Sequence, residues 1–297
     1  MQISKILINF INDYENKELL NNFKFKELYK KLNKLDYGEY TGKFTALMHE
    51  AKINPLLYLD EVPEYFLSNN TDVKNVDIPS NITSISEYAF YSCSSLTSIK
   101  IPNSVTSIGE GAFRGCSGIT SITIPDSVTS IGKGAFNGCS GLKSVTIPDS
   151  VKSISGGAFF RCTGLSSIEI PDSVSFIGDS AFDTCYRLKS VTIGSSVTYL
   201  GWGAFSNCYG LRSITIPDGV TSIGGGAFGA CSGLTSITIP DSVTSIGDEV
   251  LYGCSSLKFI NYLGTKKQWH DLSKNDSLEG VPRSCIIHCA DGDINVK

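Results

Sequence analysis

The stretch IPDSVTSIGKGAFNGCSGLKSVT occupies residues 124–146, and the same pattern starts again at Ile147 with no residue added or lost. Read outward from this stretch, units of 23 residues begin at Ile78, Ile101, Ile124, Ile147, Ile170, Ile193, Ile216 and Ile239, and the last closes at Asn261. Eight cysteines keep the same phase: Cys93, Cys116, Cys139, Cys162, Cys185, Cys208, Cys231 and Cys254. A fixed period of this length is the signature of a solenoid, in which each unit buries its apolar side chains only by stacking on its neighbours.

With Ile124 as position 1, apolar residues fall at positions 1, 5, 8, 12, 13, 16, 19 and 22: Ile124, Val128, Ile131, Ala135, Phe136, Cys139, Leu142 and Val145. The end of each unit alternates with period two, as in Leu234, Ile237 and Ile239, and Pro240 stops it, so an extended strand is expected there. A second short extended piece, V-T-S-I, follows the D-S turn. Gly132 and its equivalents break it, and G-A-F-x-G-C reads as a tight helical turn. The expected fold is therefore a mainly β repeat solenoid, a curved leucine-rich-repeat array of eight 23-residue units with strands about 4.8 Å apart.

The units, 124–142 above all, resemble BspA-like leucine-rich repeats across 78–261. The segment Asn261-Tyr262-Leu263-Gly264-Thr265-Lys266-Lys267-Gln268-Trp269 is similar to the Y-x-G-T-x-x-Q-W sequence that closes such arrays. The resemblance implies a binding role, with cell-surface attachment or contact with matrix or host proteins in many members.

A solenoid needs something at each end to cover its core. Residues 55–77 keep the register loosely through Leu59, Val62, Phe66, Val73 and Val76, and read as a degenerate first rung. Residues 1–54 carry helical spacing at Ile3, Leu7, Phe10 and Ile11 and again over 25–35 and 44–53, which predicts a small helical module or cap. Residues 262–297 form the C-terminal cap, with Trp269 and Leu272 on a short helix and a strand over 284–290. The first twenty residues read as an amphipathic helix and not a secretory signal, since Asp13 and Glu15 interrupt the apolar run. On that reading the protein stays in the cytoplasm; the cell surface is the alternative.

Composition narrows function. Of the 297 residues 18% are charged, and the net charge is −4, which argues against nucleic acid as partner because phosphate binding needs concentrated positive charge. No apolar run is long enough to span a bilayer. The eight phased cysteines read as small buried hydrophobes, and such closely spaced thiols favour a reducing compartment. Cys285, His288 and Cys289 suggest zinc, but on a strand the two sulfurs point away from the imidazole and no second ligand pair is near. Asp126, Asp149, Asp172, Asp218 and Asp241 form a ladder with too few oxygens for calcium. Each is expected to bond local backbone N–H groups in its turn. The three histidines, His49, His270 and His288, lie outside the repeats and assemble no nucleophile–base–carboxylate set. The recurring glycines lack the Lys-Ser or Lys-Thr of a phosphate loop. No catalytic residue, metal or cofactor is expected.

In so regular an array the exposed departures from consensus carry the information. Position 7 is serine in six units but Phe176 and Tyr199 in the fifth and sixth. Position 17 is serine or threonine in six units but Tyr186 and Tyr209 in the same two, Arg187 replaces glycine at position 18, and Trp202 stands at position 10. These six residues are the candidate partner-binding surface, because tyrosine, tryptophan and arginine dominate binding energy at protein interfaces. A protein is the expected partner, with a glycan as alternative. A second candidate is the polar strand face, expected to be concave, with Ser121, Thr123, Ser144 and Thr146 edged by Lys143, Lys189, Arg212 and Lys258.

Overall fold

The computed structural model describes Leu56 and residues 59–273 and 278–296. The helical expectation for residues 1–54 lies outside the described residues. The repeat region is a right-register solenoid. Two-residue strands at positions 7 and 8, from Glu61–Val62 and Ser84–Ile85 through to Ser245–Ile246, form one nine-stranded parallel sheet. Each residue pairs with its equivalent 23 positions on, as in Phe176 with Tyr199 and Ile177 with Leu200. Strands at the end of each unit, such as Ser121–Thr123 with Ser144–Thr146 and Ser167–Ile170 with Ser190–Ile193, stack in the same register on another side. Glu61–Val62 joins the sheet as the strand before the first consensus unit, and Val62 and Phe66 are buried.

The core is a set of ladders. Phe90, Phe113, Phe136, Phe159, Phe182, Phe205 and Phe228 stack with ring centroids 5.2–5.7 Å apart and planes within 8° of parallel. All seven are fully buried. The cysteine ladder runs beside them. Cys93 donates to the Leu67 carbonyl, and from Cys116 on each thiol donates to the carbonyl of the phenylalanine 26 residues earlier, as Cys139 to Phe113 at 3.1 Å and Cys162 to Phe136 at 3.2 Å. That carbonyl also accepts from the backbone N–H of the cysteine in its own unit. Cysteine at position 16 is therefore more than a space filler: it supplies a weak donor to an oxygen that water cannot reach.

The segment expected as a helical turn has another structure, and the glycines explain it. Positions 11 and 15 have positive φ in every unit, for example Gly134 at 59° and Gly138 at 74°, a region that favours glycine and that an α-helix never visits. Each left-handed residue flips a peptide plane. As a result the N–H groups of positions 11, 13 and 15 all point to the following unit: Gly134 donates to Gly156, Phe136 to Ala158 and Gly138 to Phe160 at 2.7–3.0 Å. The intervening N–H groups close four-residue turns within the unit, as Ala135 to Gly132 and Asn137 to Gly134. A helix would have spent these donors inside the unit; here they tie units together. Gly132 at position 9 meets a different demand, since a Cβ there would lie 2.5 Å from the carbonyl carbon of Gly109.

The aspartate ladder is also corrected. The I-P-D-S turn is closed by backbone, with Val128 N–H donating to the Pro125 carbonyl at 2.9 Å. The side chain that ties the turn to its neighbour is the serine at position 4, as Ser127 Oγ donates to the Val105 carbonyl at 2.6 Å and Ser173 Oγ to Val151 at 2.7 Å. Among the five aspartates only Asp172 makes a hydrogen bond among the described residues, and it reaches the next unit: Ser195 donates from N–H and Oγ at 2.6 and 3.0 Å. These bonds hold its carboxyl below the usual carboxylate range. The other aspartates face solvent at the turn tip, where a backbone bond has already done the work.

At the C-terminal end, helix Lys266–Leu272 is opened by Thr265, whose hydroxyl accepts from Gln268 N–H while Gln268 Oε1 accepts from Thr265 N–H. Trp269 is buried against Tyr262, ring centroids 5.2 Å apart. Strand Ile286–Cys289 adds in parallel to Phe259–Tyr262, and Gly292–Asn295 then returns antiparallel and ends the sheet.

Candidate partner-binding surface

The paired strands at positions 7 and 8 set Phe176 directly beside Tyr199, and their rings stack 5.1 Å apart at 9°. Parallel pairing at this spacing leaves two flat rings at equivalent positions little choice but to stack. Trp202 is the most exposed large apolar side chain of the described residues, at 62%. Its backbone N–H donates to Asp179 Oδ1 at 2.8 Å, and its indole lies over Gly225 of the next unit, whose missing Cβ would come within 3.2 Å of the ring. The glycine gives the indole a platform. Tyr186 and Tyr209 form a second stack at 4.9 Å and 5°, each 43% exposed, with Tyr209 Oη donating to Asn207 Oδ1 at 3.3 Å. Arg187 is exposed beside it.

The structure therefore resolves the six sequence candidates into two ridges. Phe176 belongs to the wall of an open trough of about 580 Å³ that runs across units one to five along positions 7, 10, 11 and 14. Tyr186 and Tyr209 do not line this trough. Tyr209 continues into a polar chain, in which Asn207 Nδ2 donates to Asp183 Oδ1 at 3.0 Å, with Asp183 at position 14.

Sequence reasoning missed the other end of the trough. Tyr88 replaces glycine at position 11 and stacks on Tyr65 at 5.5 Å and 10°, with Tyr91 edge-on at 6.0 Å. Tyr88 Oη donates to Glu110 Oε1 at 2.9 Å, and this bond, with burial behind it, raises the phenol above its ordinary value. The guanidinium of Arg114 lies 5.9 Å over the Tyr91 ring, and that of Arg161 lies 5.1 Å over Phe160. The signal was in the sequence: Tyr88 breaks the glycine consensus of position 11 as clearly as Phe176 breaks the serine of position 7, but in the first unit, where irregularity reads as the end of an array.

No group of three or more potential metal ligands occurs among the described residues. His288 Nδ1 instead meets Asp293 Oδ1 at 2.8 Å and the ring stacks on Phe259 at 5.4 Å. Cys285 is buried on the opposite side, its thiol pushed up to about 11 by burial. No helix among the described residues is long and apolar enough to cross a membrane.

With this geometry in view, comparison with known proteins is decisive for family. The pattern of the BspA type leucine rich repeat region matches in six copies over residues 60–188 and 153–273. The chain belongs to that family. BspA type repeat regions are generally protein-binding scaffolds without catalytic activity. Among solved structures, a leucine-rich repeat protein from Bacteroides ovatus is 34% identical, with a TM-score of 0.57 over 67% of this chain. A leucine rich cell surface protein from Faecalibacterium prausnitzii is also 34% identical, with a TM-score of 0.50 over 69% of the chain. This chain spans 58% and 64% of those two proteins, respectively. A comparison with curated proteins gives no match.

Proposed function

We propose that the protein is a non-enzymatic scaffold that binds a protein partner through the aromatic ridge of units five and six. Phe176, Tyr199 and Trp202 form the principal contact, and Tyr186, Tyr209 and Arg187 a second one. The observation that carries this reading is the exposure of Phe176 and Trp202, at 40% and 62%, in places where six of eight units carry serine at position 7 and no other unit carries a ring at position 10. Folding does not require these rings, and flat rigid side chains give large contact area at small cost in entropy. The test is a reversion to consensus, Phe176→Ser with Tyr199→Ser and Trp202→Gly. The solenoid is expected to keep its melting temperature within a few degrees, and a partner captured from source cells is expected to bind at least tenfold more weakly, about 1.4 kcal/mol. Unchanged affinity in the folded triple variant would remove the ridge from consideration.

A second reading, an adhesin at the cell surface that contacts a host or matrix protein or a glycan, is favoured by the similarity to a cell surface protein. The buried thiols bear on location less than their number suggests. Burial raises Cys139 to about 12 and holds Cys162 and Cys185 high as well, so they are inert in either compartment. Fractionation of source cells with an antibody to the repeats separates a cytoplasmic scaffold from an adhesin at the cell surface.

A further inference from the structure

The trough has donors and cations that the fold does not use. At position 10 the backbone N–H donates to no backbone carbonyl of another unit. Gly156 and Asp179, both lining the trough, donate to nothing among the described residues. One unit later the chain shows what such a donor accepts: the equivalent N–H of Trp202 is taken by the carboxylate of Asp179, the position 10 side chain of the preceding unit, at 2.8 Å. Gly156 has Lys133 in that preceding place, and Asp179 has Gly156, so neither receives an internal carboxylate.

The charges point the same way. Arg114 and Lys133 line the trough, and neither forms an ion pair with a carboxylate among the described residues. Arg161 stands on Phe160 in the same condition. The two acids of the trough are already engaged, Glu110 by Tyr88 and Asp179 by the Trp202 N–H. The Tyr88 ring lies on Gly111, and beyond it the floor is glycine at Gly134 and Gly157, so an extended backbone can approach closely between the aromatic walls at Tyr88 and Phe176.

We propose that the trough binds an acidic peptide segment of a protein partner, with carboxylates on Lys133, Arg114 and the N–H groups of Gly156 and Asp179. The proposal deepens the protein-binding reading and rests on it, adding the chemistry of the bound segment. Charge-assisted bonds from ammonium, guanidinium and backbone N–H to carboxylate are the strong class of hydrogen bond, and here they sit partly sheltered by aromatic walls.

The test uses the whole chain, labelled with ¹⁵N and titrated at low salt with acetylated hexaglutamate, with hexaglutamine as the neutral comparison. The amides of Gly156 and Asp179 are expected to shift saturably with hexaglutamate alone, and the binding to weaken as salt rises. Lys133→Gln is expected to weaken it at least fivefold. Lys133→Asp is expected to abolish it and to shift the Gly156 amide before any peptide is added, because it places a carboxylate before Gly156 as Asp179 stands before Trp202. Position 10 already carries glutamate, lysine, glycine, aspartate and tryptophan in different units, so both variants fold. Unmoved Gly156 and Asp179 amides, or wild-type binding by Lys133→Gln, overturn the proposal. So does a hexathymidylate that moves the same amides equally well, since the trough would then read charge alone. Neither substitution touches Phe176, Tyr199 or Trp202, so failure here and failure of the ridge are separate results.

Discussion

The cysteine ladder makes the solenoid sensitive to mild alkali. Burial holds the thiols of Cys139, Cys162, Cys185, Cys208 and Cys254 above their ordinary value, and the adjacent Cys93 thiol together with burial does the same for Cys116. In the unfolded chain each titrates near 8.5. Below that value both states hold the proton and the stability is fully present. Above it the unfolded chain has released protons that the folded chain still binds, so stability falls as pH rises toward the folded values. At pH 9.5 the loss is about 1.4 kcal/mol per thiol, whatever the folded value, provided it lies well above that pH. Six thiols together lose about 8 kcal/mol, which is comparable to the whole stability of an ordinary domain. Thermal melts followed by circular dichroism at pH 7, 8.5 and 9.5, under reducing conditions, should show a modest loss by pH 8.5 and a steep fall by pH 9.5; tyrosine and lysine titrate higher and add little. Replacing Cys139, Cys162 and Cys185 by alanine should lower the melting temperature at pH 7 and roughly halve the alkaline loss. A melting temperature that is level from pH 7 to 9.5 would refute the assignment of the ladder as buried thiols.

Three further outcomes follow from the same packing. Thiol labelling of the native protein at pH 7.5 should modify the half-exposed Cys289 first and leave Cys93 through Cys254 untouched until unfolding; rapid labelling of several ladder cysteines would show the register to be wrong. Phe136→Ala removes one ring from the middle of the stack and should cost about 3–5 kcal/mol. Because units couple to neighbours, hydrogen exchange should rise most in units two to four, and an even rise along the chain would contradict a solenoid.

The period, the core positions and the in-register stacking were all legible in the sequence, because burial leaves its mark on side-chain type: an isoleucine, a phenylalanine or a cysteine every 23 residues has one economical explanation. Backbone pairing leaves a fainter mark. Gly134 and Gly138 were visible, but glycine alone does not tell a helical turn from a left-handed residue whose N–H reaches the next unit, and only the neighbouring unit resolves it. Asp126 and its equivalents misled for the same reason, as turn-forming side chains in a turn that the Pro125 carbonyl already closes. The candidate ridge was found by its departures from consensus. The trough was not, since Gly134 and Gly157 are consensus residues whose value lies in the space they leave. Strand Gly292–Asn295 was missed because three of its four residues, Gly292, Asp293 and Asn295, carry no strand signal of their own; it is held by its pairing with Ile286–Cys289.

The flipped peptide planes at positions 11, 13 and 15 have an electrical consequence. In ordinary strands successive peptide dipoles alternate and cancel. Here three per unit point the same way along the solenoid axis, from the N–H groups of Tyr65, Leu67 and Asn69 to those of Gly226, Phe228 and Ala230. Like the peptides of a helix they add head to tail, giving this row a positive pole at the C-terminal end and a negative one at the N-terminal end, while the N–H groups at positions 6 and 9, such as Thr129 to Thr106 and Gly132 to Ile108, point back to the preceding unit and oppose it. The last of these N–H groups belong to Glu249, Leu251 and Gly253, and the exposed carboxylates of Asp248 and Glu249 stand at that pole, where their charge has the favourable sign. Lengthening the array by whole units would lengthen both rows alike, so the opposition of the two sides is a property of the repeat and not of its number.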